Sequence, residues 1–446
     1  EGEMQGRELS RRESFSSLKR DGSGSGSGSG LPAAGGGRVP SGQPRGGRVS
    51  RIFNTIKITV LCGFVTIVVL RGSIGIGRSG DRAVDQNLAG ETNRILAEIR
   101  SDNGTTGTLD DPSEARADPT APYSLGPKIE DWDGQRRNWF QRNPGSGKPR
   151  ILLLSGSPPD PCDNSIGDHY QLKAVKNKID YCRIHGIEFF HNTAQLDNEL
   201  SGYWSKLPLI RGAMLSHPET EWIWWVDSDA FFTDMAFEVP VSRYDNHNLV
   251  IHGYPDLLDQ KSWIALNTGS FLIRNCDWSL DLLDAWARMG PKGRVRDEAG
   301  RTVTAYLTGR PAFEADDQSA LIYLLISKKE VWMERVYVES SYLLHGYWVG
   351  LVERYEEMVE KKGEERWPFV THFVGCKPCG ASGDYPVDRC LSGMEKAFNF
   401  ADNQVLELYG FRHRGLRSLK VGRIRNETTD PLKFVQQFDL RRRVRG

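Results

Sequence analysis

Apolar and polar positions alternate along this chain in a way that divides it into four parts. Residues 1–51 bury almost nothing: a Gly-Ser repeat from Gly22 to Gly30 and a Gly/Pro/Arg stretch after it predict a disordered tail. Residues 52–70, Ile52 to Leu70, are a mostly apolar run, long enough to span a thin bilayer as a helix. Residues 71–149 turn polar again, with only a brief stripe of Leu88, Thr92, Ile95 and Ile99, and predict a stem. From 150 to 440 short apolar runs alternate with helical patterns, so the folded domain is placed there.

Within that domain Ile151 to Leu154 reads as a strand running into the small-residue turn Ser155, Gly156, Ser157, where a ligand could approach the backbone. Asp168 to His185 reads as a helix with Leu172, Val175, Ile179 and Cys182 on its core face, stopped by Gly186. Ile187 to Phe190 is a second strand, Tyr203 to Ser216 a second helix, and Trp222 to Val226 a buried strand of aromatic and β-branched residues. Strand, helix, strand, helix, strand predicts a doubly wound α/β sheet, with ligands beyond the C-terminal ends of the strands. After Val250–His252, Gly269–Ile273 and a helix from Asp277 to Met289 the alternation loosens into a mixed half suited to an acceptor.

The Trp-rich strand ends in Asp227-Ser228-Asp229. Side chains alternate along an extended chain, so both carboxylates point the same way and suit a hard divalent cation able to hold a diphosphate. A D-x-D by itself is weak, but surface turns need no Trp-Ile-Trp-Trp lead-in. Asp316 and Asp317 open an apolar helix from Ala320 to Ile326; either both cap it, or one caps while the other enters the cleft to face a cationic sugar carbon. His372, inside an apolar strand, is either a core residue or, if that strand neighbours the acidic turn, the third metal ligand. Lys377, just past Gly375, would then neutralise a phosphate leaving group.

Composition adds a little. Lys plus Arg and Asp plus Glu both number 58, so no net field points to nucleic acid. The 12 Trp and 14 Tyr are many for packing alone and lean toward carbohydrate or base grooves. Arg38, Arg45, Arg48, Arg51 and Lys57 precede or open the apolar run, which predicts an N-in, single-pass anchor with the rest translocated; the sequons at Asn103 and Asn426 both fall on that far side. Cys62 lies in the anchor, and the other six cysteines predict disulfides in an oxidising lumen rather than a zinc knuckle. Motifs of P-loop NTPases, α/β-hydrolases and zincins are missing from the chain.

Taken together, Gly167 to Tyr170, Lys176 to Cys182, Trp225 to Ala230, Leu266 to Phe271, Phe313 to Ser319 and Thr371 to Gly380 make the chain resemble plant glycosyltransferase family 34, and within it the xyloglucan 6-xylosyltransferases with long N-terminal tails. The likeness runs from about Tyr123 to Asp439, departing at Val226 and in a shorter linker from Tyr254 to Lys261. It implies a GT-A (Rossmann-like) fold, UDP-xylose as donor, Mn2+ as cofactor, a β-1,4-glucan acceptor, retention of configuration, and a Golgi membrane setting in a homo- or hetero-oligomer with other xyloglucan-synthesising enzymes. Carried over, Asp227, Asp229 and His372 are metal ligands. Asp316, Asp317 and Gln318 are catalytic-cleft residues, and Lys377 faces the pyrophosphate. Ser155, Gly156, Ser157, Ser228 and Gly375 complete the donor site. A galactosyltransferase acting on mannan, and a mainly structural subunit of a glucan-branching complex, compete with this reading.

Overall fold

The computed structural model describes residues 122–144, 150–162, 164–361, 366–380 and 383–425. The predicted tail, the anchor at 52–70, the Leu88 to Ile99 stripe and both sequons lie outside the described residues. Among the described residues no helix is long and apolar enough to cross a membrane.

Six strands form the central sheet in the order β2-β1-β3-β6-β5-β7. They are β1 (Ile151–Gly156), β2 (Glu188–Asn192), β3 (Trp222–Val226), β5 (Leu249–Gly253), β6 (Leu266–Arg274) and β7 (Val336–Glu339). The first three run parallel, as the βαβ pattern predicts. The expected mixed half begins at β6, which enters antiparallel to both β3 and β5. The fold class is α/β with a mixed sheet. Along β3 the side chains alternate: Ile223 and Trp225 join one core cluster, Trp222, Trp224 and Val226 the other, so the strand is buried on both faces.

A second, three-stranded sheet has the order β4-β9-β8 and is built from β4 (Ala230–Phe232), β8 (Gly346–Tyr347) and β9 (Val370–His372). It starts only a few residues beyond the end of β3, and this determines where the site forms.

The helices that matter here are α1 (Trp132–Arg142), α2 (Ser165–His185), α3 (Lys206–Ser216), α4 (Asp277–Ala287), α5 (Arg294–Tyr306), α6 (Asp317–Ser327) and α7 (Val387–Leu406). Gly186 ends α2 in the left-handed region, as its position predicts. Only part of the predicted core face of α2 holds: Cys182 is buried, but Leu172 is 68% exposed and Ile179 46%. The helix turns inward Ala174, Asn177, Lys178 and Tyr181 instead. The reason is polar. Asn177 closes two bonds with the Phe232 backbone, and Lys178 Nζ donates to the Ala230 carbonyl at 2.8 Å, so these groups tie α2 to the start of β4. Burial pushes the Lys178 ammonium down to about 8.

The folded part also begins before residue 150. On α1, the Trp132 indole donates to Asn275 Oδ1 at 2.8 Å, and Arg136 reaches the Pro218 and Thr220 carbonyls at 2.9 and 2.8 Å. Residues 123–143 therefore pack on the domain and are not stem. Of the six cysteines outside the predicted anchor four are paired, Cys162–Cys379 and Cys376–Cys390, while Cys182 and Cys276 are buried thiols.

Candidate active site

Asp227 and Asp229 do not project from a continuing strand. The chain leaves β3 at Val226 and turns, the Ala230 N–H returning to the Asp227 carbonyl at 3.2 Å, before β4 begins. The turn brings the carboxylates together where simple alternation was expected to. Strand β4 pairs antiparallel with β9, opposing Ala230 to His372, and the Phe373 N–H donates to the Asp229 carbonyl at 3.1 Å. Residues 143 positions apart therefore meet: His372 Nε2 lies 3.1 Å from Asp229 Oδ1 and 3.7 Å from Asp227 Oδ2.

Gly269 on β6 makes room for this. A Cβ there would fall 2.1 Å from His372 Cε1, and its carbonyl accepts the Asp227 N–H at 2.8 Å. His372 Nδ1 is buried without a partner, so the ring presents Nε2 to the acids. One ligand atom from each of the three residues lies within 4.8 Å of the others. Two carboxylates and one imidazole form a hard donor set with room for further oxygens, which fits a divalent cation of the Mg or Mn kind. Burial lowers the His372 pKa, but the two aspartates outweigh it, Asp229 the more strongly, and the net shift is upward.

Lys206, at the first position of α3, joins the acidic turn to α6. Its Nζ lies 2.9 Å from Asp317 Oδ2 and 3.3 Å from Asp227 Oδ1, and it donates to the Thr268 carbonyl at 3.1 Å. Burial pulls the ammonium pKa down, yet Asp227 and Asp317 more than offset it and the net direction is up. Burial raises the Asp317 carboxyl, with Lys206 opposing and Asp227 reinforcing. For Asp227, Lys206 and His372 overcome burial, and the shift is downward.

The remaining expected site residues separate clearly. Asp316 caps α6, accepting the Ser319 N–H at 2.7 Å, and pairs with Arg310 at 2.9 Å; it is held away from reacting atoms. Asp317 is buried and joined to the cavity by Lys206 rather than lining it. Gln318 has both ends of its amide engaged, by Asn267 at 3.0 Å and the Trp263 carbonyl at 3.2 Å. Ser155 is buried, its hydroxyl unpartnered, so Gly156 and Ser157 form the wall in its place. Gly375 turns the chain at φ 81° beside the wall.

The cavity measures about 470 Å³, a size that takes a nucleotide sugar. Ser157, Lys206, Trp225, Asp227, Asp229 and Lys377 are among its lining residues. Lys377 is exposed into it from the loop after β9. A cation site and a free ammonium on one wall can hold and neutralise a diphosphate.

A family model described as galactosyl transferase GMA12/MNN10, glycosyltransferase family 34, matches residues 147–383. The chain belongs to that family. Among its relatives, "Probable xyloglucan 6-xylosyltransferase 5" of Arabidopsis thaliana is 68% identical over 436 residues, covering 94% of this chain and 95% of its own. "Xyloglucan 6-xylosyltransferase 4" of the same plant is 55% identical, over 95% and 98% of the two chains. A solved glycosyltransferase "involved in the glycosylation of the major capsid of PBCV-1" aligns at 17% identity and a TM-score of 0.37, covering 55% of this chain and 99% of its own. The chain is a family 34 glycosyltransferase whose acidic turn and Lys377 line one cavity, with His372 beside the acidic turn.

Sequence reasoning missed Lys206, and it missed Trp225, whose indole donates to Asp227 Oδ1 at 2.5 Å. For Lys206 the one available signal was a basic residue at the start of a helix, where the dipole disfavours it and some buried acid must compensate.

Proposed function

We propose that this glycosyltransferase moves xylose from UDP-xylose to O6 of glucose in a β-1,4-glucan chain, retaining configuration, as a xyloglucan 6-xylosyltransferase. What supports the sugar and acceptor is that relatives covering nearly the whole chain carry that name. The observation that carries the chemistry is the convergence of Asp227, Asp229 and His372 at the edge of a cavity that Asp227, Asp229 and Lys377 line. The setting proposed is the Golgi membrane, with residues 52–70 as a single-pass anchor and the domain in the lumen.

Asp227, Asp229 and His372 would hold Mn2+, which when bound supplies positive charge to the diphosphate. Lys377 adds a second positive charge on the same wall, so the xylosyl–phosphate bond loosens as charge builds on the leaving group. The glucan 6-hydroxyl enters on the face the diphosphate leaves, and its proton goes to the departing phosphate oxygen. Asp317, tied to Lys206, contributes negative potential beneath the cationic sugar while Lys206 keeps Asp227 in register. In this arrangement Asp317 acts through the field rather than by attack on the sugar.

The test is transfer to cellohexaose by the purified domain with no partner protein, offering UDP-xylose and UDP-galactose separately. Xylose transfer that stops on EDTA addition is expected. Preference for UDP-galactose would replace this reading with the mannan galactosyltransferase, and absence of turnover with both donors would favour the structural subunit. Lys377→Ala is expected to lower turnover by about 100-fold or more, the scale of losing one charge stabiliser.

A further inference from the structure

From Val374 to Gly380 the chain is only turns, so neither helix nor ladder hydrogen bonds hold Lys377 in place. A lysine carries four rotatable side-chain bonds, and on a loose loop its ammonium would be spread over many positions. Two covalent links oppose this. Cys376 is bonded to Cys390 on α7, and Cys379 to Cys162, just ahead of α2. Lys377 therefore lies between half-cystines fixed to different helices.

The α2 side of this clamp is also closely fitted. Asn164 uses its side-chain oxygen to cap α2 through the Gly167 N–H, at 2.7 Å, and its Nδ2 to donate to the Pro378 carbonyl at 2.9 Å. A Cβ on Gly167 would stand 2.8 Å from that same carbonyl and 3.0 Å from Cys379 Cα, so only a glycine lets the loop lie this close. Cys376, Lys377, Pro378 and Cys379 then form cavity wall together with Ser228 and Asp229.

We propose that the Cys162–Cys379 bridge is a positioning device for Lys377: it sets the ammonium at the diphosphate subsite, and the affinity for donor depends on it. This rests on the reading of Lys377 as the group that meets the diphosphate. The bridge touches no reacting atom; it acts by removing conformations in which the ammonium is elsewhere.

The experiment is a double-mutant cycle read by UDP binding in the presence of Mn2+, using titration calorimetry on the purified protein, with KM and kcat for UDP-xylose alongside. Replacing the pair, Cys162→Ser with Cys379→Ser, is expected to weaken UDP binding by about tenfold, to raise KM for donor by a like factor, and to lower kcat by less than Lys377→Ala does. In a Lys377→Ala background the same replacement is expected to change the UDP Kd by less than about twofold, because the group it positions is gone. Equal weakening in both backgrounds would overturn the proposal and make the bridge merely structural, and so would unchanged UDP binding when the pair is replaced in the protein that retains Lys377. A Lys377→Ala protein that binds UDP as tightly as its parent would sink the reading of Lys377 itself, a separate failure. If the cysteine variant does not fold, Asn164→Ser keeps a capping oxygen for α2 and removes the Nδ2 donor to Pro378 without adding a charge. It is expected to weaken UDP binding by about threefold, and only while Lys377 is present.

Discussion

Lys206 joins the acidic turn to the buried Asp317 carboxylate, and its surroundings leave it little freedom. Its Nζ lies within 3.3 Å of Asp227, Asp317 and the Thr268 carbonyl, in a place where the side chain is 2% exposed. Removing one partner from a buried ion pair costs about 3–5 kcal/mol, because the other charge stays behind. Lys206→Met is therefore expected to lower the unfolding free energy by that order and to abolish transfer; denaturant unfolding and the cellohexaose assay read the two losses. Asp234 gives a pH test remote from catalysis. Burial pushes its carboxyl from 3.8 up to about 6, so the native state holds its proton more tightly than the unfolded chain does. Its stabilising contribution is complete below about pH 4 and is lost as pH rises through 6. Asp234→Asn, whose amide oxygen can still accept the Ala236 N–H, is expected to raise Tm by a few degrees at pH 7.5, roughly the scale of 1 kcal/mol, and to leave it unchanged near pH 4. The acids of this site were legible because a hydrophobic strand ending in carboxylates is rare. Lys206 was not, because Tyr203 to Ser216 reads as an ordinary helix until Asp317 is known to lie above it.

At the level of elements, the site depends on one ladder. The pairing of β4 with β9 decides that His372 faces Asp229, and a strand slipped by one residue would turn the imidazole to the other side of the sheet. Gly269 on β6 guards that register from below. Gly269→Ala is expected to displace the ring and weaken Mn2+ binding by about tenfold or more, the scale reported for disturbed ligand support, as measured by the EPR signal of the free ion. Strands β1 and β3 and the bodies of α2, α3, α4 and α6 could be read from periodicity, since each is a local pattern of burial, whereas α1, α5 and α7 were passed over. The antiparallel entry of β6 could not, because Leu266 to Arg274 is apolar in a way that suits either direction. The inner face of α2 was hidden for a different reason: Asn177 and Lys178 are buried through bonds to backbone carbonyls, which a hydrophobic stripe cannot reveal.

Across the whole molecule, the segment from 123 to 143 belongs to the fold although it looked like stem. Helix α1 is so polar that Trp132 and Gly134 are its only buried residues, and a reading of apolar spacing passes over it. Trp132→Ala is expected to destabilise the domain by about 3–5 kcal/mol without changing KM for donor, since the indole sits far from the cavity; thermal unfolding together with donor kinetics distinguishes the two effects. Contacts of α1 with Pro218, Thr220 and Asn275 place it where β3 starts and β6 stops, whereas the acidic turn follows the other end of β3. At about 3.3 Å per residue the five residues of β3 separate the two by roughly 16 Å. The described chain thus enters the fold at the end of β3 opposite the acidic turn, so changes along α1 can alter stability without touching the cavity.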